Sequence, residues 1–482
     1  MINLKEHFKL TAVYTFFSAF PALLQLIVYP IIEGKDRLGA EDFGYLAITE
    51  AIISVVFIVC LFGTGNGIAR LYYDKKDDPD DYKRLVSTVL SGILGRGFLL
   101  LGLVLVFAPL IGSVFSQPAL QNFNEYGPAL FITGINRAVI AMAVILYRHE
   151  KRLQIFIIIS LLSGILRSGF QVTGVLFYDL SFIGYVFGTA LGGGIVSLGI
   201  VVYLYNNCGF HYNKIVNKNL YPFSRPLFFS DMIFWGLIFA DRFFLLNRPE
   251  DLGIYDNAIK FAIGVQLIIQ GLSSAIQPEL FRNLKEGVKL KEGEIKQLSN
   301  LFIAEALSII ALTIIPVMVF ITVFYETQLV LSAGLVSIIF VRYILKTQYM
   351  VFSWVVMFTK KTNLFFFINS LVLIVCLGIN WLLTPGIGYY GAIIAFLTAF
   401  LVQVIAFKIA QHKVQPIKWN YNKIFYFPLA VVLTAIILEI LKIVFEVNHF
   451  ITSALLVVII FAGLFKMYRK DLRKIMMPKK NK

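Results

Sequence analysis

The chain has 482 residues, of which 58% are hydrophobic and only 15% are charged, and its mean hydropathy is +0.79. A soluble protein carries charge on about a quarter of its residues, so this composition excludes an ordinary soluble domain and indicates an integral membrane protein. The net charge of +15 would suggest nucleic-acid binding in a soluble protein, but in a membrane protein the position of the charges decides their meaning.

Apolar runs recur along the whole chain, and a hydrocarbon core of about 30 Å requires roughly 20 helical residues. The first run is too long for the apolar part of a cleavable signal, so it is interpreted as the first span. Span 10 would be about 45 Å long as a straight helix, which requires tilt or a break. The sequence predicts fourteen helical spans, at residues 9–32, 46–69, 85–115, 128–147, 153–178, 182–205, 226–247, 254–281, 301–324, 329–358, 363–384, 387–410, 425–445 and 450–467.

Lysine and arginine are distributed unevenly between the two sides of these spans. With a cytoplasmic N-terminus, thirty-two of the 43 lie on the cytoplasmic side, four lie outside and seven lie within spans. This asymmetry predicts a multi-pass protein of the cytoplasmic (inner) membrane with both termini in the cytoplasm. It also explains the net charge without nucleic acid as a partner. The basic tail, residues 468–482, is expected to lie against anionic membrane lipids.

Two short motifs recur at nearly the same separation. EDFGY at 41–45 returns as EDLGIY at 250–255, and IGY at 183–185 returns at 387–389. Each motif begins a span on the outside face, which predicts two six-helix lobes related by a parallel pseudo-twofold axis around a central cavity. The alternative is that such turns simply recur at helix starts. The predicted parts are an N-lobe at 1–205, a cytoplasmic linker at 206–225, a C-lobe at 226–410, spans 13 and 14 within 411–467, and the tail.

Several cations lie inside the predicted spans. Arg96 in SGILGRGF, Arg167 in SGILRSGF and Arg137 are each about 16–22 Å from the cytoplasmic boundary at 1.5 Å per residue. Facing lipid, each would cost about 2.5–3.5 kcal/mol, so we expect them to face a hydrated cavity or acidic partners. The candidate substrate-binding cations are Arg96, Arg137, Arg167, Lys260, Arg342 and Lys346.

Acidic residues in the spans are too few to neutralise these cations, and the candidates for coupling or ion pairing are Glu50, Asp231 and Asp241. Guanidinium groups bind phosphate through a fork of N–H donors, so the cavity is expected to bind an anionic, phosphate-bearing substrate. The alternative is that the arginines hydrogen-bond helix carbonyls or acids and only tie helices together.

No catalytic or cofactor motif is visible in the sequence. A Walker A sequence, a nucleotide-binding glycine loop and a nucleophile elbow are all absent. The three cysteines and five histidines do not form a metal-ligand pattern. The sequence therefore predicts a transporter that is not an enzyme and binds no metal or cofactor.

The stretches EDFGYLAI (41–48), DRFFL (241–245), EDLGIYDNAIKFA (250–262) and GYYGAIIA (388–395) resemble polysaccharide-biosynthesis (O-antigen type) flippases of the multidrug/oligosaccharidyl-lipid/polysaccharide superfamily. The resemblance covers essentially the whole chain. It implies alternating-access transport of oligosaccharides linked to a polyprenyl pyrophosphate, for surface polysaccharides such as lipopolysaccharide. Other polysaccharide-assembly proteins would then be partners.

Three other functions remain open at this point. A multidrug-extrusion antiporter coupled to cations resembles the chain in architecture, but such proteins tend to use acidic residues in the membrane. A flippase for the peptidoglycan precursor also has fourteen spans and cations in its cavity. A membrane scaffold or receptor would bind a lipid-linked sugar without moving it, and it has no need of arginines at mid-depth.

Overall fold

The structure, a computed structural model, describes residues 4–75, 78–177, 181–361 and 363–476. Within these ranges the chain is almost entirely helical and forms no β-strand. Residues 477–482 of the predicted basic tail lie outside the described ranges. The α-helices are α1 Leu4–Ile32, α2 Ala40–Leu61, α3 Thr64–Lys75, α4 Pro79–Gly112, α5 Pro118–Gln121, α6 Phe123–His149, α7 Leu153–Leu176, α8 Ser181–Cys208, α9 Lys214–Phe244, α10 Pro249–Glu286, α11 Val288–Phe324, α12 Val336–Phe340, α13 Arg342–Phe358, α14 Asn363–Ile387, α15 Tyr389–Val414, α16 Phe427–Val444 and α17 His449–Met476.

Twelve helical stretches in the described ranges are long and apolar enough to cross a membrane. Helices suit such runs because every backbone N–H and C=O within the membrane must be paired inside the segment. The two other predicted spans correspond to α1, whose apolar part is Phe16–Ile32, and to α9. On α4, Leu105 and Val106 are 62% and 70% exposed, as expected of a lipid-facing surface. The chain is a multi-pass, all-helical membrane protein, as the sequence predicts.

Helix α2 lies earlier in the chain than the predicted second span, residues 46–69. Phe62 adopts a left-handed conformation with φ of 49°, and Gly63 follows with φ of 66°, so the helix ends at Leu61. The remaining residues form the separate helix α3. The predicted boundaries placed Glu50 near the outer end of a span, and this was wrong, because Glu50 lies at the middle of α2.

The tenth predicted span is interrupted near its middle. It begins with a 3₁₀ helix, Gln328–Leu335, continues through the five residues of α12, and turns at Val341. Arg342 is the first residue of the next helix, α13. Of the two predicted alternatives, tilt or a break, the structure shows an interruption of the helix, and it lies directly beside one of the candidate cations.

The chain forms two compact units, residues 1–253 and 254–482. In the first unit, α6 is central and packs on α2, α4, α7 and α8, with Ile93, Ala138 and Met142 fully buried in this core. In the second unit, α15 packs on α13 and α14, and α11 packs on α17.

The segment 206–225, predicted as a linker, is partly helical because α9 begins at Lys214. Helix α9 packs on α2, α3 and α4, so it belongs to the first unit. The lobes 1–205 and 226–410, their parallel repeat and a central cavity stay predictions.

The two copies of the acidic-glycine motif pack directly on each other. A Cβ atom added to Gly44 in α2 would lie 2.0 Å from the carbonyl oxygen of Pro249. A Cβ atom added to Gly253 in α10 would lie 1.9 Å from the carbonyl oxygen of Ala40. The contact is reciprocal, and all four residues belong to the first unit. Only glycine allows such an approach of two backbones, so the repeated motif has a packing role.

Candidate functional site

Three arginines of the first unit lie near the middle of long helices. Arg96 is in α4, Arg137 in α6 and Arg167 in α7, each nine or more residues from either helix end. At 1.5 Å per residue this is about 13 Å or more from the nearer end. These helices are candidate membrane spans, so the Cα atoms of all three arginines are expected near the middle of a hydrocarbon core of about 30 Å.

Arg137 forms a bidentate ion pair with Glu50 of α2. Its Nη1 lies 2.5 Å from Oε1 of Glu50, and its Nη2 lies 2.7 Å from Oε2. The Arg137 and Glu50 side chains are 23% and 39% exposed. Both residues lie at mid-helix, where exposure of a charge to lipid is costly. Glu50 thus neutralises Arg137, and the pair carries no net charge.

Arg96 binds the end of a neighbouring helix. Its Nε and Nη2 donate to the carbonyl oxygen of Cys60, in the last turn of α2, at 3.0 and 2.7 Å. Its guanidinium carbon lies 5.5 Å from the centre of the Phe62 ring. A cation at a helix C-terminus stabilises the unpaired carbonyls and the negative end of the helix dipole. These contacts agree with the structural alternative raised by the sequence, in which an arginine ties helices together.

Of the three mid-helix arginines in the first unit, Arg167 is the one that forms no hydrogen bond or ion pair with the described residues. It is half-buried, and its Nε is buried with no hydrogen-bond acceptor. Among the residues that the structure describes, no carboxylate pairs with it. The Arg167 backbone packs closely against Gly192 of α8. A Cβ atom added to this glycine would lie only 2.7 Å from the backbone nitrogen of Arg167. The position of Arg167 on α7 is thus fixed by close backbone packing, and its role as a substrate ligand stays a prediction.

A buried polar network that sequence reasoning missed lies next to Arg167. Gln25 of α1 donates to Ser168 at 3.3 Å and to Gln171 at 3.0 Å. Tyr185 of α8 donates to Gln25 at 2.8 Å, and Gln171 donates to Thr189 at 2.8 Å. The network joins α1, α7 and α8 through hydrogen bonds of the kind that hold membrane helices together. Glutamine in an otherwise apolar span was the signal that could have found it.

In the second unit, Arg342 and Lys346 share one face of α13. Arg342 is buried, and its Nη2 donates to the Tyr343 hydroxyl at 2.9 Å, which in turn donates to Gln266 at 3.3 Å. The Arg342 guanidinium carbon lies 4.7 Å from the Phe396 ring centre and 4.9 Å from that of Tyr343. The Lys346 ammonium lies 5.7 Å from the same tyrosine ring. Two cations therefore share one aromatic neighbour, with no carboxylate paired to either in the described ranges.

A small cavity lies beside Arg342. Its volume is about 10 Å³, and its lining includes Tyr255, Phe396 and Arg342, so it holds about one water molecule. The Nε of Arg342 is buried nearby with no acceptor in the described part of the chain. In this conformation Arg342 is closed off, whereas Lys346 is half-buried.

Lys260 is neutralised by a residue that sequence reasoning did not consider. Its ammonium lies 3.1 Å from the carboxylate of Asp256, one turn earlier in α10, and the Asp256 side chain is only 3% exposed. The i,i+4 spacing of Asp and Lys was the available signal. Asp256 was missed because it lies at the predicted boundary of span 8. Lys260 is accordingly the weakest of the predicted cations as an anion ligand.

The two acidic residues of α9, Asp241 and Asp231, differ in burial and in pairing. Asp241 is buried and pairs at 3.1 Å with Arg242, which also donates to the carbonyl of Ile238 at 2.5 Å. Asp231 is exposed and forms no ion pair within the described residues. No group of three His, Cys, Asp or Glu side chains in the described ranges is placed to hold a metal ion.

A known protein family matches the larger part of the chain. A family model described as "Polysaccharide biosynthesis protein" matches residues 37–334, which is more than half of the chain. Among curated protein sequences, none matches significantly.

Solved structures share the fold at low sequence identity. The lipid II flippase MurJ in an inward closed conformation is 13% identical with a TM-score of 0.69, over 94% of this chain and 99% of that chain. An inward-facing multidrug resistance MATE family transporter of the MOP superfamily is 15% identical with a TM-score of 0.64, over 83% and 96%. The MATE multidrug transporter DinF-BH is 16% identical with a TM-score of 0.59, over 87% and 96%. The resemblance predicted from the sequence is therefore confirmed at the level of the family: the chain belongs to the polysaccharide biosynthesis protein family and shares its fold with MurJ and with MATE transporters.

Proposed function

We propose that the protein moves oligosaccharide units linked to a polyprenyl pyrophosphate from the inner to the outer leaflet of the cytoplasmic membrane, by alternating access. The observation that carries the proposal is the uncompensated charge of Arg167 at mid-membrane depth. Family membership supports a role in polysaccharide assembly, and the fold supports transport.

The charged pyrophosphate is the part of such a substrate whose transfer through the apolar membrane costs the most free energy. An arginine at mid-depth lowers this cost by pairing its N–H donors with phosphate oxygens. Arg167 serves this role in the first unit, and Arg342 with Lys346 serves it in the second, once that region opens. Arg137 contributes less, because Glu50 already occupies both of its terminal nitrogens.

The orientation belongs to the same proposal. The distribution of lysine and arginine favours both termini in the cytoplasm, where lipid-linked sugars are assembled before transfer. Other polysaccharide-assembly proteins are the proposed partners. The chemistry of transfer needs no covalent step in this chain.

A second function is favoured by one specific observation. Asp231 is an exposed carboxylate in α9 with no ion pair in the described residues, and a cation-coupled drug antiporter would use such a group. The uncompensated cations at mid-depth oppose this function, because they repel a cationic substrate. A peptidoglycan-precursor flippase remains the nearest alternative, since its substrate would present the same pyrophosphate.

The test is a transfer assay with purified full-length protein in vesicles, using three fluorescent probes. The first probe is a polyprenyl-pyrophosphate disaccharide, the second is the same lipid with a peptide on the sugar, and the third is a cationic dye. Transfer of the first above protein-free vesicles is expected. Preference for the peptide-bearing lipid would favour the peptidoglycan-precursor alternative, and dye extrusion driven by a cation gradient without lipid transfer would overturn the proposal.

A further inference from the structure

A second cationic feature lies in the second unit, at the ends of its membrane helices. A cavity of about 530 Å³ is lined by Lys360, Lys361, Asn363, Leu364, Ala410, Lys413 and Val414. Among its described lining residues, three of seven are lysines and none is acidic. All three lysines are exposed, and none forms an ion pair among the residues that the structure describes. The cavity therefore carries uncompensated positive charge.

The position of this cavity matches the depth of lipid headgroups. Lys360 and Lys361 lie in the turn between α13 and α14, and Lys413 is the next-to-last residue of α15. These three helices are candidate membrane spans, so their ends lie at the membrane boundary, where the phosphates of lipids also lie. The same lysines fall on the side that the charge asymmetry predicts to be cytoplasmic, where the leaflet is anionic.

The other lining residues have a different character. Leu364, Ala410 and Val414 form an apolar part of the wall, and Asn363 supplies an amide. A cationic rim beside an apolar wall suits a phosphate group that is attached to apolar chains. Basic pockets between membrane helices on the cytoplasmic side are typical binding sites of anionic headgroups.

We propose that this lysine cavity binds a phosphate-bearing anion, supplied either by the headgroup of an anionic membrane lipid or by a soluble phosphate. The site is distinct from the mid-membrane arginines and does not depend on which substrate is transported. Each lysine near the surface contributes about fivefold to such binding, which corresponds to about 1 kcal/mol. Loss of all three is expected to weaken binding by at least about tenfold.

The experiment uses purified full-length protein in neutral detergent micelles and follows its thermal unfolding while phosphatidylglycerol is added. Phosphatidylcholine and inorganic phosphate are added in parallel. The site variant is Lys360→Gln/Lys361→Gln/Lys413→Gln. The control variant, Lys285→Gln/Lys289→Gln/Lys466→Gln, removes the same charge from exposed lysines elsewhere in the second unit.

Phosphatidylglycerol should stabilise the wild type at saturable concentrations, and phosphatidylcholine should not. The half-saturating concentration should rise at least about tenfold in the site variant and stay within twofold in the control. Stabilisation by inorganic phosphate alone that is lost in the site variant would identify a soluble phosphate as the source, whereas stabilisation by phosphatidylglycerol and not by inorganic phosphate would identify a lipid headgroup. Equal losses in both variants, or an unchanged titration in the site variant, would overturn the proposal.

Discussion

Gly44 and Gly253 meet backbone to backbone at the starts of α2 and α10. A Cβ atom added to Gly253 would lie 3.0 Å from the Gly44 nitrogen and 1.9 Å from the carbonyl oxygen of Ala40. Each glycine stands at the same place in its copy of the acidic-glycine motif. The repeat in the sequence is thus also a contact in the structure, and this supports a common packing role for the two copies.

The first prediction concerns this contact. Gly253→Ala should destabilise the protein by about 1–3 kcal/mol, because the new methyl group would clash with a backbone carbonyl that cannot rotate away. Gly264→Ala is the matched control in the same helix, since nothing lies within 4 Å of its added Cβ atom. That control should be neutral or more stable by up to about 1 kcal/mol from helix propensity. Thermal unfolding in detergent measures both, and equal stabilities would contradict the packing role.

The second prediction concerns the pair of Glu50 and Arg137. Glu50→Gln should cost about 1.5–3 kcal/mol, because it leaves a guanidinium group at mid-membrane without its carboxylate. In the double variant Glu50→Gln/Arg137→Gln, the loss should be smaller than the sum of the two single losses. Thermal unfolding of the wild type, the two single variants and the double variant gives the stabilities that are compared. Strictly additive losses would mean that the two side chains do not stabilise each other.

Some features of the fold and of the candidate site were predictable from hydropathy and residue spacing, and others were not. The positions of the arginines near the middle of long helices were predictable because they depend only on spacing along the chain. The length of the tenth span indicated tilt or a break, but length alone could not decide between them, since α10 is longer and is a single helix.

Which acidic residue pairs with which cation was not predictable from spacing along the chain. Glu50 and Arg137 are 87 residues apart, so only the packing of α2 on α6 brings them together. The position of Glu50 was also misread, because the predicted span ran through the left-handed turn at Phe62 and Gly63. The glycine-rich sequence FGTGNG carried the signal for that turn.

The third prediction concerns Arg96. Arg96→Gln should lower stability by about 1–2 kcal/mol, because the carbonyl of Cys60 loses both of its hydrogen bonds from this side chain. The transport rate per folded molecule should change little. Arg84→Gln, at an exposed position in the same helix, is the control and should leave stability unchanged. A loss of transport by Arg96→Gln at normal stability would instead assign Arg96 to substrate binding.

The fourth prediction is topological. A cysteine at Lys289 should resist an impermeant thiol reagent in intact cells, because the charge asymmetry places this exposed residue in the cytoplasm. A cysteine at Arg248, in a predicted outside loop, should react. The native cysteines Cys60, Cys208 and Cys376 are buried, which keeps the background low. Both positions should react after permeabilisation, and labelling at Lys289 in intact cells would reverse the predicted orientation.

The last prediction concerns Arg167, which, unlike Arg96, forms no hydrogen bond with the protein in the described ranges. Arg167→Gln should reduce lipid transfer by at least about tenfold, since one lost ion pair with phosphate is worth about 1.4 kcal/mol or more. Stability should be unchanged or higher, because no protein acceptor in the described ranges loses a partner.

Arg167→Lys distinguishes two ways of binding the anion. Partial transfer by the lysine variant would mean that charge is sufficient, whereas failure would mean that the fork of N–H donors is needed. Transfer is measured in vesicles that contain equal amounts of folded protein, with Arg84→Gln as a control for the loss of one positive charge. If Arg167→Gln moves the lipid at the wild-type rate, Arg167 does not bind the substrate, and the charge at mid-membrane depth must serve helix packing instead.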